Sequence, residues 1–282
     1  MKHVMAAVLL AAGLCAAVPA AAADKLTLIL DWFVNPDHAP LVVAKELGFF
    51  ADEGLDVELV APADPNDPPK LVAAGQADVA VSYQPQLQVQ VGQRLPLVRI
   101  ATLVSTPLNS VVVLADGPVK SVKDLKGRKV GFSVGGFEDA VLGAMLEKNG
   151  LSLKDVTLVN VNFSLSPSIL SGQVDAVIGA FRNFELNQMA LEERPGRAFF
   201  PEEEGVPPYD ELVLVANKAK LADPRLPRLV RAVERASLYI LNHQEPAHAA
   251  FVKGRPELND ELNRRAWADT LPRFANNPAA LD

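Results

Sequence analysis

Three observations predict an α/β fold of two similar lobes. Apolar runs of strand character alternate with segments of helical periodicity from Lys25 to Ala216, the pattern of strands stacked side by side with helices over their faces. The stretch Ala74-Gly-Gln-Ala-Asp-Val-Ala80 returns 97 residues later as Ser171-Gly-Gln-Val-Asp-Ala-Val177, a spacing too long for a solenoid and suited to two lobes on one plan. Coincidence is the alternative, since glycine commonly ends a helix before a strand. Finally, Ser105–Asn109 and Pro201–Tyr209 break the periodicity on either side of the second half. The chain then passes between the lobes twice, as a hinge requires.

In order, strands are predicted at Lys25–Leu30, Leu55–Val60, Asp78–Ser82, Leu97–Val104, Ser110–Ala115, Lys129–Ser133, Val156–Val161, Val174–Ala180 and Glu211–Ala216, in largely parallel sheets. Helical periodicity covers about 38–50, 71–74, 86–91, 137–149, 184–193 and 225–243. This gives lobe one as residues 24–105 with 206–282, and lobe two as 106–205. The first 23 residues read as a secretory leader: Lys2, an apolar run from Val4 to Val18, and Ala21-Ala22-Ala23 as the cleavage site. Lipidation at Cys15 is disfavoured, because Leu14 stands where a small residue is wanted.

The chain of 282 residues has 49% hydrophobic and 22% charged residues and a net charge of −7, which loss of Lys2 makes −8. That suits packed domains rather than disorder. The charges form no basic stripe, so nucleic-acid binding is not expected. Cys15 is the one cysteine and lies in the leader, so the mature chain forms no disulfide and offers no thiolate to a metal. A soluble periplasmic monomer without a cofactor is the expectation.

Ligands of open α/β sheets bind beyond the carboxyl ends of strands. Trp32, Tyr83, Ser133 and Phe181 each close or follow a predicted strand, and are expected to converge on one cleft. Trp32 and Phe181, from opposite lobes, can sandwich a flat heterocycle at about 0.5–1.5 kcal/mol per stacked pair. Glu185 can accept from an exocyclic amine, or can simply be a first-turn acid on a helix dipole. Asn35 offers an amide edge, and Asp37 reads as an N-cap. His38 has no second histidine nearby for a metal, but can contact a ligand. Gln84 follows Tyr83 at a strand end. Gly135 and Gly136 precede a helix and can turn backbone N–H groups toward a carbonyl or anion, or serve as a plain turn.

The segments LDWFVNPDHAPLVVAKELGFFADEGLDVEL, GQADVAVSYQPQL, GFSVGGFEDAVL and GAFRNFELNQM resemble periplasmic substrate-binding proteins of ABC importers, in the thiamine-pyrimidine binding family. The resemblance runs through most of the mature chain. It implies the two-lobed type II-like binding-protein fold with a double-crossing hinge, an ABC permease as partner, and a ligand such as formylaminopyrimidine or hydroxymethylpyrimidine. The family's aromatic-x-x-x-Glu pattern falls on Phe181 and Glu185, its loop tryptophan on Trp32, and FRNFE adds Asn183 to the candidates. Family members commonly carry Tyr at Phe181 and an aromatic residue at Arg182, and often continue past Asp282 into one more helix.

Other functions compete. Gly131-Phe-Ser-Val-Gly135 matches the G-x-S-x-G elbow of serine hydrolases, with Ser133 as nucleophile, but no HGGG-like oxyanion segment precedes it. Relatives that make the pyrimidine from their own residues carry a cysteine-rich motif, which this chain lacks. The same receptor fold can also take riboflavin, another aromatic compound, nitrate or a sulfonate. Without an Arg-rich pocket in view, Trp32, Phe181 and Glu185 favour a planar base, and Arg182 is the residue that would favour an anion.

Overall fold

The computed structural model describes residues 22–279; the predicted leader, apart from Ala22 and Ala23, lies outside them. The strands run in chain order as β1 (Asp24–Ile29), β2 (Leu55–Val60), β3 (Val79–Tyr83), β4 (Leu97–Val104), β5 (Asn109–Leu114), β6 (Lys129–Phe132), β7 (Thr157–Asn160), β8 (Ala176–Phe181), β9 (Gly196–Phe199) and β10 (Leu212–Asn217). They form two five-stranded sheets, ordered β2-β1-β3-β10-β4 and β7-β6-β8-β5-β9. Both are mixed rather than largely parallel. In each, three parallel strands are followed by one that runs antiparallel: β10 against β3 and β4, and β5 against β8 and β9.

Helices α1 (Ala39–Glu46) and α2 (Phe49–Asp52) link β1 to β2. The single helix predicted there breaks at Gly48, which has φ +79°. Next come α3 (Pro68–Ala73), α4 (Gln84–Gly92), α5 (Glu138–Lys148), α6 (Leu165–Leu170) and α7 (Glu185–Leu191), each joining one strand to the next. After β10 the chain packs back as α8 (Arg225–Asn242), α9 (Gln244–Val252) and α10 (Glu261–Thr270). Leu226, Leu229, Ala232, Val233, Ala236 and Ile240 give α8 one buried stripe at the spacing an amphipathic helix needs. The periodicity did not anticipate β9, α6, α9 or α10. After α10 the chain runs along the free edge of β4, with Ala275 N–H donating to the Leu103 carbonyl and Thr102 N–H to the Pro278 carbonyl. That covers a strand edge otherwise open to pairing.

The internal echo occupies equivalent places. Gly75 and Gly172 both close a helix at φ +75°, where glycine carries no Cβ penalty. Asp78 and Asp175 each accept from the backbone N–H of a neighbouring strand, Thr27 at 3.0 Å and Lys129 at 2.9 Å, and return their own N–H to the same residue's carbonyl. Matching strand orders and matching aspartate clamps favour duplication over coincidence.

The chain crosses between the sheets after β4 and again between β9 and β10. Glu211, fully buried, ties the two crossings together: its Oε2 accepts the N–H groups of Leu108 (2.6 Å) and Asn109 (2.8 Å). Burial raises its carboxyl to about 7. Arg182 also serves this hinge. It forms a two-pronged ion pair with Glu202 (2.6 and 3.0 Å), donates to the carbonyls of Leu108 and Asn109, and lies over the Phe200 ring.

Candidate functional site

Between the sheets lies a narrow pocket, with about 370 Å³ of non-atom space that includes open solvent at its mouth, lined by Asp31, Trp32, Asn35, Asp37, Tyr83, Glu138, Leu165, Gly179, Phe181, Phe184 and Glu185. Both lobes contribute, and most of the lining comes from strand ends or first helical turns, as the crevice rule requires. No lysine, arginine or histidine is among the lining residues. The wall is instead aromatic and acidic.

The loop after β1 is held from within. His38 Nδ1 accepts the Asn35 N–H at 3.3 Å, so its Nε2 carries the proton donated to Asp31 Oδ1 at 2.8 Å. Tyr83 donates to the other oxygen, Asp31 Oδ2, at 2.9 Å. Burial, then the Asp31 charge, holds the Tyr83 phenol well above its ordinary range, so it remains a donor. The cap of this loop is Asn35, whose Oδ1 accepts from Asp37 N–H at 2.8 Å. Asp37 is thereby freed from the capping role the sequence suggested. Its Oδ1 accepts from Asn183 Nδ2 of the other lobe at 2.6 Å and lies 3.1 Å from Thr270 Oγ1 of α10. Burial is the main reason its carboxyl rises to about 6.

Two further acids enter from the second lobe by the same device. Phe137-Glu138 opens α5 and Phe184-Glu185 opens α7, with matching φ/ψ at the two phenylalanines. Glu138 Oε2 accepts Ser133 N–H and Glu185 Oε2 accepts Phe181 N–H, both at 2.7 Å. Burial raises each to about 8, so each carries a proton at neutral pH. Burial outweighs the backbone N–H bonds that favour the charged form. The site thus offers two neutral acids that can donate, beside Asp37, whose carboxyl is the more acidic and can accept. Among the described residues, no three His, Cys, Asp or Glu are grouped to hold a metal ion.

The pocket brings together Trp32, Asn35, Tyr83, Phe181 and Glu185 of the candidates read from sequence. The others lie outside its lining and support it. His38, 0% exposed, orients Asp31. Gln84 Oε1 accepts Asp210 N–H at 2.7 Å, beside the returning crossing. Asn183 is committed to Asp37 and Thr270. Ser133 is buried and its hydroxyl donates to the Asn162 carbonyl, so it has no nucleophile-and-base geometry. Gly135 gives its N–H to Asn66 Oδ1 of the other lobe at 2.9 Å, and Gly136 is an exposed turn at φ +80°. Arg182, spent on the hinge, does not line the pocket. The Trp32 ring meets Phe163 edge-on at 4.6 Å, while Tyr83 stacks on Phe137 at 5.0 Å.

Asp31, Asp37 and Glu138 are the acids that residue spacing did not mark as pocket lining. The signal for Glu138 was present, because Gly-Phe-Glu at 136–138 and Asn-Phe-Glu at 183–185 repeat one Phe-Glu step ahead of a helix. Nothing local distinguishes Asp37 from a cap; only its contacts with Asn183 and Thr270, 146 and 233 residues away, reveal it.

Comparison with known proteins agrees with this architecture. The chain is 58% identical over 271 residues, 96% of its length and 86% of the other's, to a Haemophilus influenzae protein named for thiamine biosynthesis. It is 35% identical to the formylaminopyrimidine-binding protein of Halalkalibacterium halodurans, covering 89% of this chain and 76% of that one. It is 28% identical to the 4-amino-5-hydroxymethyl-2-methylpyrimidine phosphate synthase of Aspergillus parasiticus, over 90% of this chain and 78% of the enzyme. In fold it is similar to the alkanesulfonate-binding protein SsuA of Xanthomonas axonopodis pv. citri bound to MOPS, with a TM-score of 0.74, 17% identity, and coverage of 93% and 89%. The model of the family described as NMT1/THI5 like matches residues 35–247, and the chain belongs to that family.

Proposed function

We propose that this chain is an exported receptor that captures a thiamine-precursor aminopyrimidine, formylaminopyrimidine or hydroxymethylpyrimidine, and hands it to an ABC permease. The carrying observation is the pocket wall: four carboxyls and four aromatic rings with no basic side chain. An aminopyrimidine has flat faces for the rings, an exocyclic amine for an ionised carboxylate, and ring nitrogens that accept from a neutral acid. A sulfonate or nitrate would meet carboxyls where it needs cations. Arg182, the one residue that favoured an anion, is paired with Glu202 at the hinge.

The mechanism is capture without chemistry. Ligand enters between open lobes, the crossings at 105–108 and 200–211 flex, and the lobes close around it. Asn66, which donates to the Ser133 carbonyl at 3.1 Å, and Asn183 supply polar contacts that fasten the closed form. The protein acts as a monomer in the periplasm after its leader is removed.

Isothermal titration of residues 24–282 against formylaminopyrimidine, hydroxymethylpyrimidine, thiamine, riboflavin and an alkanesulfonate tests this reading. Pyrimidine binding at micromolar Kd or tighter is expected. Trp32→Ala should weaken it by about 1–3 kcal/mol, roughly 5- to 150-fold, through lost ring contact. Glu185→Ala should cost about tenfold or more, because it removes the donor that the neutral acid offers the ligand. Binding of riboflavin or the sulfonate alone would end the pyrimidine assignment.

A further inference from the structure

We propose that Asp37 is a ligand-binding residue whose Oδ2 accepts a hydrogen from the ligand's exocyclic amine. The inference rests on the aminopyrimidine reading and sharpens it, by naming which edge of the ring faces α10. Three observations meet at this residue. Asp37 lines the pocket although it is only 1% exposed. Its Oδ1 is engaged by Asn183 Nδ2 across the cleft at 2.6 Å and, on its own side, lies 3.1 Å from Thr270 Oγ1. Its Oδ2 is buried and has no hydrogen-bond partner among the described residues.

Buried polar atoms are almost always bonded, and a lone buried carboxylate oxygen is costly to leave unmet. The other carboxyls of the wall differ in this respect. Asp31 has both oxygens engaged, by His38 and Tyr83. Glu138 and Glu185 each hold a backbone N–H. Asp37 therefore keeps one oxygen in reserve for an N–H donor that arrives with the ligand. A 4-amino ring satisfies it, whereas a 4-oxo ring would set oxygen against oxygen. Because Oδ1 of the same carboxylate is held by the opposite lobe, the amine and the closure contact share one side chain.

Asp37→Asn is the direct test, since it preserves an Oδ1 acceptor for Asn183 and places an NH2 group at Oδ2. The probes are 4-amino-5-hydroxymethyl-2-methylpyrimidine and its analogue without the 4-amino group, titrated against wild type and variant. The expected result is a loss of at least tenfold for the amino compound in the variant, with the analogue changed less than threefold. A purely structural role would weaken both probes alike, and that outcome, or no change in either, overturns the inference. If wild type binds neither these probes nor formylaminopyrimidine, the pyrimidine reading falls with it. If wild type binds the amino compound and Asp37→Asn leaves that affinity intact, only the Asp37 assignment falls. Should the variant fail to fold, a crystal structure of wild type with the amino compound decides. An amine nitrogen within hydrogen-bond distance of Oδ2 supports the proposal, and one beyond 4 Å refutes it.

Discussion

Gly179→Ala is expected to destabilise the protein by about 3 kcal/mol or more and to abolish ligand binding. Gly179 sits in β8 at φ +100°, where a side chain costs about 1–3 kcal/mol in backbone strain alone. Its missing Cβ is also what makes room for Glu138: an added methyl would lie 2.6 Å from Glu138 Cδ, 2.7 Å from Oε2, and closer still to Oε1. The carboxyl cannot retreat easily, because Oε2 holds the Ser133 N–H and the side chain is 4% exposed. Gly75→Ala is the control: it shares a positive φ of +75° but would meet nothing within 4 Å, so only the strain cost remains. Thermal and denaturant melts of both variants, with a ligand titration of each, check the comparison. Equal stabilities would show that the Glu138 contact has no energetic weight.

The unliganded protein should lose stability as pH rises from about 5.5 to 8.5. Four buried acids, Asp37 at about 6, Glu211 at about 7, and Glu138 and Glu185 at about 8, stand above their ordinary values of 3.8 and 4.5. In that window the folded chain holds protons that the unfolded chain has released. Stability therefore falls with pH, by up to about 1.4 kcal/mol per unit for each such group. The contribution is complete below pH 4 or so and is lost as pH climbs through 6 to 8. Relaxation and mutual coupling of the acids reduce the sum, and a net loss of about 4 kcal/mol, roughly 10 °C in Tm, is the expected scale. Acids held below their ordinary values, such as Asp64, Asp155 and Asp223, act in the opposite direction but at lower pH. Glu185→Gln removes one of the four titrations and should flatten the slope. Calorimetric melts across the range test this, and a Tm that is constant or rises toward pH 8.5 would refute it.

The strands were legible because a central strand buries both faces and shows up as an apolar run, as β3 and β10 do. Gly196–Phe199 escaped because Gly-Arg-Ala-Phe has neither such a run nor clean alternation. Helix α6 hid behind Pro167 in its own interior, and α9 and α10 behind Pro246 and a polar composition. Strand ends place Trp32, Tyr83 and Phe181 in the pocket wall, since backbone direction sets those positions whatever the side chains do. Ser133, which follows β6, stays outside that wall and turns its hydroxyl to the Asn162 carbonyl. The acids were harder, because a carboxylate near a helix start serves as cap, dipole partner or ligand acceptor with the same local sequence. Tertiary partners decide between these, and such partners have no signature in spacing.

The place of β10 in the first sheet bears on the order in which the chain can fold. Strands β3 and β4 do not pair with each other; each pairs with β10, which begins at Leu212. The sheet of β5 to β9 is drawn from one continuous stretch, whereas its counterpart stays in two pieces until the whole of that stretch has emerged. Long-range pairings of this kind come late, because loop closure precedes any reward from contact. Pulse-labelled hydrogen exchange should find β5–β8 amides protected before those of β3 and β4. A chain interrupted before Leu212 would hold one near-complete lobe tethered to unpaired strands, a species prone to aggregate or be degraded rather than half of a working protein.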